Sequence, residues 1–154
     1  MLHRYDQDPP APRIGVIGAG SWGTVLADLL AVKGLRVDLW AFEPEVVEQI
    51  HAHRENRFFL PGILLSPRLT ASSDLAEVAS GKDLLVVVVP SHVIRETMAV
   101  LAGRLDARTS IVSASKGIEN QTHLTMTGVL KETLRFADDR LAVLSGPSFA
   151  MEVA

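Results

Sequence analysis

There is no cysteine anywhere in the 154 residues. That excludes disulfides, thiolate metal sites and a cysteine nucleophile, and it fits a cytoplasmic location. Long apolar runs are missing as well, and none approaches the roughly 20 residues a helix needs to cross a bilayer. Residues 1–12 (M-L-H-R-Y-D-Q-D-P-P-A-P) lack the apolar core of a signal peptide, and their acids and prolines predict a disordered lead-in. No surplus of positive charge exists. The net charge is −3, which points away from nucleic-acid and membrane-surface partners. His3, His51, His53, His92 and His123 make no H-x-x-x-H, and no paired-acid spacing suggests a metal site. All five are expected at the surface, with His92, just beyond a strand end, the one to watch. G-x-S-x-G and G-x-x-x-x-G-K-[ST] are absent, against hydrolase and P-loop readings. Repeats, low-complexity tracts and internal linkers are absent too. What remains, at 47% hydrophobic and 21% charged, is the composition of one folded domain.

The stretch that organises this domain is R-I-G-V-I-G-A-G-S-W-G, residues 13–23. Ile14 to Ile17 read as a buried strand, a glycine turn follows, and an apolar helix pattern begins inside the turn. Gly18, Gly20 and Gly23 stand in the G-x-G-x-x-G spacing. Gly18 would make the tight turn, Gly20 would leave room for a pyrophosphate, and Gly23 would let helix and strand pack closely. The pyrophosphate would sit on free N–H groups at the positive end of the helix dipole.

Further on, strand and helix patterns alternate. The helix after the glycines closes at Lys33-Gly34, and a strand is expected over Leu35–Phe42. Pro44 opens a helix to about Arg54. Asn56–Arg68 reads as an ordered loop and Leu69–Ala71 as a short strand. Ser73 or Asp74 caps a short helix ending at Gly81. Asp83–Val89, continuously apolar after its first residue, reads as a central strand covered on both faces. Pro90 and Ser91 end it and start a helix to about Leu105. Strand Ser110–Ser113, helix Leu124–Arg135 and strand Leu141–Leu144 complete the series. This is the α/β pattern of a doubly wound parallel sheet, the Rossmann dinucleotide-binding fold, as a single domain over 13–154.

Ligands of such sheets bind beyond the carboxyl ends of the strands. Gly18–Gly23, Phe42-Glu43, Pro90-Ser91, Ser115-Lys116-Gly117 and Ser145–Ser148 all fall there. Glu43 is placed to accept hydrogen bonds from an adenosine ribose, which favours NAD; the alternative is an acid complementing a helix dipole. Phe42 either lies against the adenine or is the inward end of its strand. Lys116 is placed to hold a carbonyl or phosphate oxygen as a point charge. Gly146 and Ser148 offer bare backbone and a hydroxyl to a polar substrate.

G-A-G-S-W-G-T, N-R-F-F-L-P-G, V-V-V-P-S-H, S-A-S-K-G-I-E and L-S-G-P-S-F-A-M-E-V-A occur in this order. Together they closely resemble the amino-terminal half of bacterial NAD(P)-dependent glycerol-3-phosphate dehydrogenase, over about residues 13–154. The resemblance implies interconversion of dihydroxyacetone phosphate and sn-glycerol 3-phosphate, the backbone precursor of phospholipids. It implies that Ser21 and Trp22 contact the nucleotide, that Lys116 touches nucleotide and substrate, that Gly146 and Ser148 line the substrate site, and that Ala150 approaches the cofactor. Lys116 would help stabilise the developing alkoxide. Many members carry arginine or histidine after L-W-x to grip a 2′-phosphate, where this chain has Phe42 and Glu43, so NAD is expected, with NADP possible. Members continue into a helical domain with the general acid/base lysine and the main phosphate-binding groups. That domain is absent from this chain, which is therefore expected to bind nucleotide but to be catalytically incomplete. A homodimer is possible for the full-length enzyme. The competing readings are a stand-alone nucleotide-binding or redox-sensing module, another two-domain dehydrogenase acting on sugar acids or ketopantoate, and a methyltransferase binding S-adenosylmethionine.

Overall fold

Six strands of three or four residues form one parallel sheet in the order β3-β2-β1-β4-β5-β6. They are β1 (Ile14–Ile17), β2 (Val37–Trp40), β3 (Leu69–Ser72), β4 (Leu84–Val87), β5 (Ser110–Ser113) and β6 (Leu141–Val143). The computed structural model describes residues 10–135 and 138–154. Of the expected disordered lead-in, residues 1–9 lie outside the described residues, and 10–12 carry no helix or strand.

The helices between the strands are α1 (Ser21–Val32), α2 (Pro44–His53), α3 (Leu75–Ala79), α4 (Ile94–Ala99) and α5 (Met126–Leu134), with α6 (Ala150–Val153) after β6. Successive side chains of a strand face opposite ways, so β4 sends Val86 to one side and Leu85 and Val87 to the other. Val86 joins Val25 and Ala27 of α1 and Val46 and Ile50 of α2. Leu85 and Val87 join Val78 of α3, Ile94 and Met98 of α4, and Val129 and Leu130 of α5. The sheet is thus covered on both faces, which is why β1 and β4 are apolar without alternation.

Two helices are shorter than their patterns predict. The chain from Pro90 to Val93 makes a turn, with Val93 N–H on the Pro90 carbonyl, before α4 begins. After Ala99, Leu101, Ala102 and Arg104 donate three residues back, the tighter 3₁₀ pattern. α5 starts after Thr125, whose hydroxyl caps Gly128 N–H, and stops at Arg135 with φ 53°. β2 and β4 are also shorter than expected, because their neighbour β1 has only four residues to pair with. α6 had no sequence signal; it is a single turn packed against α1.

Strand order reverses between β1 and β4, and that switch point is where such a sheet opens a crevice.

Candidate functional site at the carboxyl edge

The glycine turn lies at the end of β1. Gly18 has φ +116°, a conformation L side chains rarely adopt, and a Cβ there would come within 2.9 Å of the Val88 carbonyl oxygen. A Cβ on Gly23 would overlap the Gly18 carbonyl oxygen. These two glycines are demanded by the fold. Gly20 is different. Its φ of −63° suits any residue, and nothing lies within 4 Å of the place a Cβ would occupy. Gly20 is the N-cap of α1, without a side-chain cap and without an acid in the first turn. The leading N–H groups of α1 therefore have no partner supplied by the helix itself. An open cradle over a helix N-terminus fits the diphosphate of a dinucleotide.

A buried polar network sets the shape of this turn. The Ala19 carbonyl accepts from Thr24 Oγ1 at 3.1 Å and from Asn56 Nδ2 at 2.8 Å. Asn56 Nδ2 also donates to Thr24 Oγ1 at 2.9 Å, and Asn56 Oδ1 accepts from Phe59 N–H at 3.2 Å. Both side chains are fully buried. Asn56 thereby staples the N-R-F-F-L-P-G loop to the glycine turn, while Ser66 N–H on Asp28 pins the loop's far end to α1. Glu55 accepts from Gly62 N–H and from Arg57, which hold its carboxyl below the ordinary value. The loop leaves Phe58 exposed at its tip. Asn56→Leu leaves the Phe59 N–H unpaired and removes one donor from each of two buried oxygens. It is expected to cost about 2–4 kcal/mol of stability. Thermal unfolding checks this, and a loss below about 0.5 kcal/mol, within the range of a neutral surface change, would show that the staple does not hold the turn.

Three residues expected on substrate come together. The Lys116 ammonium donates to the Gly146 carbonyl at 3.3 Å and to the Ser148 hydroxyl. Lys116 follows β5 and the other two follow β6, so the sheet brings the tips of neighbouring strands into one place. Gly117 packs on Ser91, where its Cβ position lies 3.2 Å from Ser91 Oγ. Ser115 Oγ donates to the Val89 carbonyl at 2.6 Å, tying the loops after β5 and β4 together. Three residues after Lys116 in the chain, Glu119 takes both arms of Arg95, at 2.7 and 2.8 Å, and Arg95 also reaches Glu132 at 2.9 Å. The Arg95 guanidinium, helped by the Thr122 hydroxyl, holds the Glu119 carboxyl down at about 2.

The remaining candidates divide. Ser21 opens α1 and is exposed; Trp22 is half-buried against the α1 side of the core. Glu43 is the N-cap of α2, but its side chain makes no capping bond. Phe42 is not an inward strand end: it is 77% exposed and meets Trp40 edge-on, with ring centroids 6.3 Å apart. Pro90 is exposed beside half-buried Ser91. Ala150 is half-buried where α6 meets the α1 side of the core. His51, His53, His92 and His123 are exposed, and His3 lies outside the described residues. The sequence reading missed the roles of Asn56, Thr24, Arg95 and Glu119.

Comparison with known proteins extends this picture. The chain is 50% identical over 146 residues to Glycerol-3-phosphate dehydrogenase (NAD(P)+) of Syntrophobacter fumaroxidans, covering 94% of this chain and 43% of that protein. It is 55% identical over 143 residues to the enzyme of the same name from Geobacter sulfurreducens, covering 92% and 43%. The chain thus spans less than half the length of these curated relatives. Among solved structures, it superposes on the glycerol-3-phosphate dehydrogenase of Coxiella burnetii with a TM-score of 0.86 and 35% identity, over 94% of this chain and 44% of that one. A ketopantoate reductase from Ralstonia eutropha, at 23% identity and a TM-score of 0.59, shares the fold alone. The family model for the NAD-dependent glycerol-3-phosphate dehydrogenase N-terminus matches residues 13–154, and the chain belongs to that family.

Proposed function

We propose that this chain is the cofactor-binding part of a glycerol-3-phosphate dehydrogenase, and that its carboxyl edge holds NAD(H) beside dihydroxyacetone phosphate or sn-glycerol 3-phosphate. One observation carries the reading. Lys116 converges on Gly146 and Ser148 at the same sheet edge that presents the open N-terminus of α1. Gly20 and the α1 N-terminus would hold the diphosphate of a nucleotide, and Lys116 would serve its reactive end.

When bound, the nicotinamide supplies or accepts the hydride. The residues of this chain do the rest of the local work. The first N–H groups of α1 neutralise the diphosphate. Glu43, spared from capping, accepts from ribose hydroxyls and repels a 2′-phosphate, so NADH is preferred to NADPH. Lys116 and the Ser148 hydroxyl donate to the substrate oxygen, and the ammonium is worth most as that oxygen becomes an alkoxide. The proton to and from that oxygen is assigned to a lysine of the helical domain that family members carry beyond this stretch. That domain would also supply the main phosphate grip, leaving residues 13–154 able to bind nucleotide but catalytically incomplete. A cytoplasmic location and a homodimer of the full-length protein belong to the same reading.

Calorimetric titration of the 154-residue chain tests it. NADH binding tighter than NADPH is the expected result, with dihydroxyacetone phosphate added afterwards to probe the Lys116 end. The reverse order would remove the role given to Glu43. Binding of neither nucleotide would overturn the reading for this chain and leave only its fold.

A further inference from the structure

The opposite edge of the sheet carries a second charged feature. Ile14, Val37 and Leu69 are in register as the first residues of β1, β2 and β3. The residue before each is an arginine: Arg13, Arg36 and Arg68. Val37 N–H donates to the Arg68 carbonyl at 3.1 Å, so the alignment continues to the arginines themselves. The row spans about 10 Å at the usual spacing of neighbouring strands. Lys82, two residues before β4, extends it on the far side of β1. All four cations line one open depression, together with Asp38 and Thr70.

Like charges side by side on neighbouring strands destabilise a sheet, and this chain is acidic overall. Part of the charge is met internally. Asp38 pairs with Lys82, and Asp83 pairs with Arg13 at 3.3 Å. Arg36 and Arg68 have no ion-pair partner among the described residues, so a charge of +2 is left in the depression once the Arg13–Asp83 and Lys82–Asp38 pairs are counted. Guanidinium forks match phosphate oxygens two at a time, and a row of them suits an anion with more than one phosphate. This is not the dinucleotide cradle. Gly20 lies beyond the carboxyl end of β1, and these cations lie before its amino end.

We propose that this depression is a second anion site, one that takes a terminal diphosphate, either free or at the end of a nucleotide, and not the internal diester bridge of a dinucleotide. The test is calorimetric titration with inorganic pyrophosphate, with and without saturating NADH, on the parent chain and on R36Q/R68Q. Saturable binding is expected that NADH shifts by less than about twofold, that added salt weakens, and that R36Q/R68Q reduces by at least about tenfold. NADH affinity stays unchanged in R36Q/R68Q, which separates this site from the carboxyl edge. Thr70→Asp, which adds a carboxylate and removes no arginine, is expected to weaken pyrophosphate alone. Repeating the titration with ADP, under saturating NADH, separates the sources: tighter binding than pyrophosphate assigns a nucleotide, weaker or equal binding a free diphosphate. Absence of saturable binding, displacement of pyrophosphate by NADH, or indifference to R36Q/R68Q would each overturn the proposal.

Discussion

Gly23→Ala is expected to unfold much of the protein at temperatures where Gly20→Ala is fully folded. The two glycines stand three residues apart in one motif, and their surroundings are opposite. A methyl group at Gly23 meets the backbone oxygen of Gly18, which cannot swing aside as a side chain would. Relief requires moving α1 off β1, the most buried strand of the sheet. That places the cost at or above the top of the usual overpacking range, about 3 kcal/mol or more, out of a total of about 5–15 kcal/mol. In a domain of this size the midpoint should fall by roughly 6–12 °C. A methyl group at Gly20 meets nothing. Its backbone cost is nil at φ −63°; the weaker N-cap of alanine and the stiffer unfolded chain act in opposite directions, for a net change within about 1 kcal/mol. What Gly20→Ala removes is the approach of a diphosphate to the helix N-terminus, and NADH affinity should drop by more than about tenfold. Thermal unfolding and NADH titration of the same two variants give both answers. Wild-type affinity in Gly20→Ala would mean that no diphosphate lies over that position.

The contrast also shows what local pattern can and cannot carry. The glycine spacing, the apolar β1 and β4, and the breaks at Gly34 and Gly81 are written in neighbouring residues, so the fold and the site's edge were legible. Lys116 and Ser148 were legible as strand-tip residues, and parallel pairing of β5 with β6 joins them. Asn56 was not. Its partners Ala19 and Thr24 are 37 and 32 residues away, and an asparagine in a loop gives no sign of which oxygen it will reach. The same holds for Arg95, 24 residues from Glu119 and 37 from Glu132. Helix ends failed where the apolar pattern ran on but the chain tightened, as after Ala99. For Phe42 two positions share one sequence pattern, against an adenine or as the inward end of the strand, and only the end of β2 at Trp40, which leaves the ring exposed, removes the second.

Lys116→Met should leave the fold untouched and remove most of the chemistry. The side chain is exposed, and exposed contacts of this kind contribute about 0–1 kcal/mol to stability. Its bonds to Gly146 and Ser148 therefore add little to stability, and under the proposed function a substrate oxygen takes their place. A cation placed against a developing alkoxide is worth far more than one against a neutral carbonyl, because the attraction grows with the charge formed in the transition state. In the longer protein that relatives represent, kcat/KM for dihydroxyacetone phosphate should fall by about 10²–10³, with the larger share in kcat. Lys116→Arg keeps the charge but replaces a compact ammonium with a planar fork, and it should recover only part of the loss. Unfolding midpoints of both variants should match the parent within about 2 °C. A loss confined to KM would make Lys116 a ground-state binding group, while a change under threefold would remove it from the site and leave Ser148 and the glycine turn without the charge that links them.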